Sequence, residues 1–406
     1  MVGRSPQILT QALDTAALDV SVIERSLRWL DCGQLKVETP SGKRWTLIGC
    51  HPGPEANLTI CSWTFLRRVV SGWDVGFAEA YMAGEVSTPD LVALLSLAVR
   101  NRDLANRFRM ARLPRIGLRL RHALNRNTRV GSRRNISAHY DLGNSFYRQW
   151  LDSGLSYSAA KFSPAETDLE SAQTAKLDRV LDLLDARDGD RILEIGCGWG
   201  SFAERALESH NVTVTGITLS TEQLEYARAR LAGPVAAGHC ELRLQDYRDV
   251  IGTYDRIVSI EMLEAVGESY WPRYFAKLRE CLRPGGIAVL QVITIDESRF
   301  ERYRRRPDFI QKHIFPGGML PTKKIIERET VNAGLVPVTQ EFFGRDYART
   351  LQQWNARFQG AWPDICKLGY DQRFKRMWEY YLAYCQVGFD ARALDVGFYK
   401  IARPAG

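Results

Sequence analysis

The sequence predicts an α/β protein, a Rossmann-like and mostly parallel sheet preceded by a small α+β unit. Three observations carry this. From about residue 135 onward, short apolar runs alternate with amphipathic helical stretches. The run "LEIGCGWGSF" (Leu193–Phe202) places alternate glycines at a strand-to-helix turn. Before about residue 100 the pattern is hairpin alternation followed by an apolar helix.

The elements follow in order. "LKVETPSGKRWTLIG" (Leu35–Gly49) alternates around a Pro-Ser-Gly turn and predicts a hairpin. "ANLTICSW" reads as another strand and "DLVALLSLAVR" as an apolar helix. Residues 100–134 then hold twelve arginines against one acid, Asp103. This segment alone outweighs the net charge of +8 of the whole chain, so the basicity is local. Next, "DRILEIGCGWGSFAERALES" and "VTVTGITLSTEQLEYARARL" each give a strand and a helix, and "YDRIVSIEML" gives a third strand. "YWPRYFAKLRECLRPGGIAVLQVITI" predicts a helix, a Pro-Gly-Gly turn and a strand, and "KKIIERETVNAGLVPVTQEFF" a helix and strand. "DVGFYKIARP" closes as a last strand. Two non-sheet insertions, 296–321 and 348–390, are rich in aromatic residues. The domains are therefore expected at 1–99, 100–134 (an arginine-rich linker) and 135–406.

At 45% hydrophobic and 25% charged, the composition is that of a soluble globular protein. No leader pattern and no long apolar run stands out, so cytoplasmic residence is expected, with membrane contact from the inner surface only. None of the eight cysteines forms a C-x-x-C pair, and no His/Cys cluster has zinc spacing, so neither a disulfide nor a metal is expected. The arginine stretch suits an anionic partner. Its single aromatic residue, Phe108, and the lack of a recognisable binding module favour a lipid surface over nucleic acid.

The glycine loop is the first candidate site. Gly196, Gly198 and Gly200 let the backbone turn tightly and approach a ligand. Cys197 lies within the loop as a small residue with nothing near it in sequence to activate its thiol. The spacing is G-x-G-x-G, the acid Glu194 precedes it, and "LQDY" with Gln245, Asp246 and Tyr247 follows a later strand, in reach of an adenine. No acid ends the second strand, where Thr218, Leu219, Ser220 and Gln223 of "TLSTEQ" stand instead. With the reversed final strand, this set resembles the class I S-adenosylmethionine-dependent methyltransferases. A dehydrogenase-type Rossmann domain is the competing reading.

Further motifs narrow the resemblance. "ISAHYDLGNSFYRQWLDSGLSYSAAKF", "TLSTEQ", "SIEMLEAVG", "FIQKHIFPGG", "DYARTLQQWNARF" and "RMWEYYLAYCQVGF" occur in one order over about 135–406. They resemble the cyclopropane-fatty-acid synthase family, and "GFAEAYMAGEV" is a looser match to its N-terminal lipid-binding domain. The resemblance implies transfer of a methyl group from S-adenosylmethionine to the cis double bond of an unsaturated acyl chain on a membrane phospholipid. It implies His139, Tyr157 and Ser158 on the cofactor side, an acyl pocket built by the aromatic insertions, and a homodimer. It also implies a bicarbonate base held by a cysteine, a glutamate, a histidine, the backbone at an isoleucine, and a tyrosine. Glu264, Ile293 and Tyr347 match three of these positions, but Ala159 replaces the cysteine and Gln291 the histidine. Bicarbonate then either binds with fewer ligands or gives way to Glu264 as a direct base. The product is correspondingly a cyclopropane or an open, methyl- or methylene-branched unsaturated chain such as a furan fatty acid precursor. A headgroup methyltransferase and a non-catalytic lipid-binding protein are the alternatives.

Overall fold

The computed structural model describes residues 30–101, 142–163 and 168–405. His139 and all but the first two residues of the 100–134 segment lie outside them. The chain forms two compact units. One comprises Met1–Pro114 with Asp371–Val387, the other Arg115–Tyr370 with Gly388–Gly406.

In the first unit, β1 (Cys32–Glu38) and β2 (Arg44–Ile48) form the expected antiparallel hairpin, pairing Leu35 with Leu47 and Glu38 with Arg44. Leu35 and Val37 turn inward while Lys36 faces solvent, the period-two alternation of a half-buried strand. β3 (His51–Ile60) runs parallel to β1, and short β4 (Val86–Ser87) completes the order β2–β1–β3–β4. The apolar helix Leu91–Arg100 starts where the Asp90 carboxylate accepts from the Ala93 N–H. The first turns of the helix Gln372–Asp390 also belong here. Arg376 donates to the carbonyls of Tyr81 and Val86, and the Tyr81 hydroxyl donates to Glu379.

The second unit is a seven-stranded sheet. Its strands are β5 (Arg191–Ile195), β6 (Thr213–Thr218), β7 (Cys240–Leu244), β8 (Tyr254–Ile260), β9 (Leu282–Ile295), β10 (Val336–Phe342) and β11 (Leu394–Ala402). The order is β10–β11–β9–β8–β5–β6–β7. β7, β6, β5, β8 and β9 are mutually parallel, and β11 pairs antiparallel with both β9 and β10. This is the class I methyltransferase fold. Central strands buried on both faces, such as "ILEI" in β5, need no alternation and show none. One detail departs from the sequence reading. The Pro-Gly-Gly expected as a turn is drawn into the start of β9, where Gly285 at φ +75° accompanies a register shift against β8.

The chain order reverses direction at β5, which has β6 on one side and β8 on the other. Open α/β sheets bind ligands at such a switch, beyond the carboxyl ends of the strands. The insertion after β9 contains the helix Glu297–Arg305 and a single π-turn, Ile310–Ile314. The insertion after β10 begins with the long helix Gly344–Lys367. The two units share the remaining aromatic residues. Trp354, Phe358 and Phe389 lie in the sheet unit, while Trp378, Tyr380, Tyr381 and Tyr384 belong to the first. Among the described residues, no helix is long and apolar enough to cross a membrane.

Candidate active site

At the end of β5 the chain leaves through Gly196 (φ +86°), Gly198 (φ +51°) and Gly200 (φ +88°) into the helix Ser201–Ser209. A side chain at Gly196 would also meet Met262, whereas a Cβ at Gly198 would meet nothing within 4 Å. The loop thus keeps an open face for close approach of a ligand. Behind it, Glu194 is buried and its Oε2 has no partner. Burial pushes Glu194 up to about 8, with Lys176 and Arg230 opposing. These features fit S-adenosylmethionine. Cys197 is buried and its thiol is raised well above its ordinary value, mainly by burial, so it serves as a small loop residue.

The neighbouring candidates form the rim. The Thr218 hydroxyl donates to the side-chain Oε1 of Gln223 (2.9 Å), and Ser220 caps the helix Thr221–Arg230. Leu219 is half-buried beside them. Gln245 donates from its side chain to the Asp249 carbonyl. Asp246 is tied to Arg248 and Tyr247 packs on Tyr274, so that corner is braced internally. Tyr157 lies in an aromatic cluster, its ring 5.4 Å from Trp354, 5.5 Å from Tyr147, 5.6 Å from Trp150 and 6.4 Å from Phe315. Tyr347 extends this wall through Trp354 and Phe389.

The residues expected around bicarbonate do come together, but around a side chain absent from the sequence-based set. Glu261 follows β8 directly. Its Oε1 accepts from the Ala159 N–H (2.8 Å) and the Gln291 amide (2.8 Å), and its Oε2 accepts from the Tyr347 hydroxyl (2.8 Å). The second amide hydrogen of Gln291 goes to the Ala159 carbonyl (3.2 Å). Glu264 and Ile293 meet each other, with the Ile293 N–H donating to Glu264 Oε1 (2.6 Å). Every donor of the expected set is thereby used within the chain. The site does not fit a bicarbonate ion.

Glu261 has φ +49°, the left-handed region that suits glycine and costs another residue about 1–3 kcal/mol. Its charge has one buried counterpart, Lys176, whose ammonium donates to Ser158 Oγ (2.9 Å). Burial pulls Lys176 down to about 8 against the pull of Glu261, Asp152 and Glu194. Burial raises Glu261 as well, and its three donors and Lys176 oppose that rise. Glu264 is pushed up to about 8, first by burial and then by the charge of Glu261, and its Oε2 is buried without a partner. The two carboxyls are therefore unlike: one is surrounded by donors, the other is held near neutrality.

Sequence reasoning missed Glu261 and Lys176. Lys176 left a signal, because it falls on the face of the helix Leu169–Leu184 that also buries Leu169, Gln173 and Val180. A lysine on an apolar face implies a buried carboxylate.

Known proteins resemble the chain over most of its length. The family model for mycolic acid cyclopropane synthetase matches residues 127–398. The chain is 40% identical over 345 residues to the tuberculostearic acid methyltransferase of Mycobacterium tuberculosis, covering 83% of this chain and 81% of that one. It is 35% identical over 354 residues to the cyclopropane-fatty-acyl-phospholipid synthase of Escherichia coli, covering 86% and 88%. Among solved structures, the M. tuberculosis cyclopropane synthase MmaA2 matches with a TM-score of 0.63 at 30% identity, over 66% of this chain and 98% of that one. The cyclopropane synthase CmaA1, solved with S-adenosylhomocysteine, matches at 0.62 and 29% over the same shares. Matched by that family model over residues 127–398 and by these relatives over most of its length, the chain belongs to the mycolic acid cyclopropane synthetase family of S-adenosylmethionine-dependent methyltransferases.

Proposed function

We propose that this enzyme methylates the cis double bond of an unsaturated fatty acyl chain carried on a membrane phospholipid, and releases an open, methyl- or methylene-branched unsaturated chain. The supporting observation is the aromatic wall of Tyr157, Trp354, Phe315 and Tyr347, joined to the glycine loop through Tyr147 and Trp199, with Glu261 bonded to Tyr347. S-adenosylmethionine supplies an electrophilic methyl group when bound. An alkene is a weak nucleophile, so the chain's residues must bring it close and exclude water. As the π pair takes the methyl, a positive charge develops on the acyl chain, and aromatic faces stabilise it. A C–H bond next to that charge then breaks, its electrons form a new double bond, and the proton passes to a carboxylate of the site.

Which C–H bond breaks decides the product. Loss from the new methyl with closure gives a cyclopropane. Loss from a chain carbon gives a methyl-branched alkene, and a hydride shift followed by loss from the methyl gives a methylene branch. The open product is favoured because Ala159 and Gln291 stand where the resemblance expects two anion ligands. The similarity to a protein named as a tuberculostearic acid methyltransferase points the same way.

Expression in a bacterium lacking its own cyclopropane synthase, with mass spectrometry of the fatty acid methyl esters, tests this. A chain one carbon heavier that takes up hydrogen under mild conditions is the expected result. A chain heavier by one CH2 that resists hydrogen would be a ring and would overturn the open-chain reading. No heavier chain would overturn lipid methylation. We further propose that the arginine segment docks the enzyme on the anionic cytoplasmic face of the membrane. Salt-sensitive co-sedimentation with phosphatidylglycerol vesicles, and none with phosphatidylcholine, is expected.

A further inference from the structure

We propose that Glu261 is the built-in general base of the reaction, so that turnover needs no bicarbonate; this rests on the alkene-methylation reading above. The first argument is conformational. Glu261 occupies a left-handed backbone position directly after a buried central strand, where glycine would fit without strain. The contacts of its carboxylate offset that strain. The second argument is the donor count. Ala159 N–H, Gln291 Nε2 and Tyr347 O–H all point at its two oxygens. A carboxylate offers about four lone-pair sites, so roughly one remains open to take a proton. The buried ammonium of Lys176 supplies the opposing charge.

The third argument is division of labour. Glu264 carries a buried, unpartnered oxygen and is raised toward neutrality by burial and by Glu261. It therefore serves as the neutral neighbour, with Ile293 closing its other oxygen. In the step itself, a C–H bond of the methylated acyl chain breaks and its electron pair forms the new carbon–carbon double bond. The proton goes to Glu261, and the carboxylic acid later returns it to solvent. No other reactant is required.

The test uses full-length enzyme with S-adenosylmethionine and vesicles of a cis-monounsaturated phospholipid, in buffer purged of carbon dioxide or supplemented with bicarbonate. Wild-type turnover should be the same, within about twofold, in both buffers. Glu261→Gln should lower kcat roughly a hundredfold or more while S-adenosylmethionine binding by calorimetry is retained. Glu261→Gly, which relieves the strained backbone and opens the space, should be rescued by formate or bicarbonate in a saturable manner. Wild-type activity that needs bicarbonate would overturn the proposal without any variant. So would undiminished turnover of Glu261→Gln. Wild-type enzyme that methylates no lipid in either buffer would instead overturn the reaction on which the proposal rests. The two failures are thus distinct.

Discussion

The two halves of the site are built in opposite ways. The cofactor half is local: Glu194, Gly196, Gly198 and Gly200 lie within one strand, one turn and the start of one helix. The base half is assembled from four distant stretches, with Ala159, Glu261, Gln291 and Tyr347 converging through sheet pairing and a helix. The first depends on backbone freedom, which a short motif can specify. The second depends on long-range register, such as the pairing of Ile260 with Gln291 across β8 and β9. A site of the first kind tolerates little change in any residue, whereas one of the second kind can exchange its chemistry piece by piece while the fold stays put.

Changes at either half should show the contrast. The largest effect is expected at the loop. Gly196→Val puts a branched residue at φ +86° and into Met262, and should weaken S-adenosylmethionine binding by about a hundredfold or more in calorimetry. Unchanged binding would remove the loop from the cofactor site. Next is Lys176→Met, which leaves Asp152 and Glu261 without their shared buried cation. A loss of about 3–5 kcal/mol in denaturant unfolding is expected, the usual result of breaking a buried pair. A loss under about 1 kcal/mol would mean that these carboxyls are already protonated in the native state.

How much could be read from the chain follows the same division. The parallel strands, the glycine turn and the reversed last strand were legible because each is specified within about twenty residues by apolar runs and glycines. Tyr347, Gln291, Glu264 and Ile293 were singled out through the family resemblance, and the structure sets Tyr347 and Gln291 on Glu261 and Ile293 on Glu264. Glu261 was not, because it sits one residue ahead of "MLEAVG" and reads as an ordinary acid near the end of the strand "YDRIVSIEML". Only the left-handed φ and the three donors distinguish it. The division of the 348–390 aromatics between the two units was equally hidden, since composition does not say which surface a helix covers.

The smaller effects separate the two carboxyls. Tyr347→Phe removes one donor from Glu261 and should lower kcat about tenfold, the usual worth of a hydrogen bond to a charged group. Cofactor binding should be unaffected, and a loss confined to binding would place Tyr347 in the other half of the site. Glu264→Gln is expected to be milder in turnover, less than about tenfold, because an amide imitates a carboxyl already held neutral and keeps the acceptor for the Ile293 N–H.

The Glu264 effect should appear instead in the dependence of stability on pH. The folded-state pKa of Glu264 is raised to about 8 from an ordinary carboxylate value near 4.5. Between those values the folded state holds a proton that the unfolded chain has released. The contribution of this group to stability is therefore full below about pH 4.5 and is lost as pH rises through about 8. Glu194, raised to about 8 by burial, adds a slope of the same sign. Lys176, lowered to about 8, opposes them only above that pH, where the unfolded chain keeps the proton that the native state has lost. Thermal melts of the wild type should fall in Tm from pH 5 to pH 8, and Glu264→Gln should flatten part of that fall by a few degrees, at roughly 2–4 °C per kcal/mol. Parallel curves for the two proteins would show that Glu264 is ionised throughout. The acid and base roles of the pair would then have to be exchanged, with Glu264 taking the proton and Glu261 held neutral.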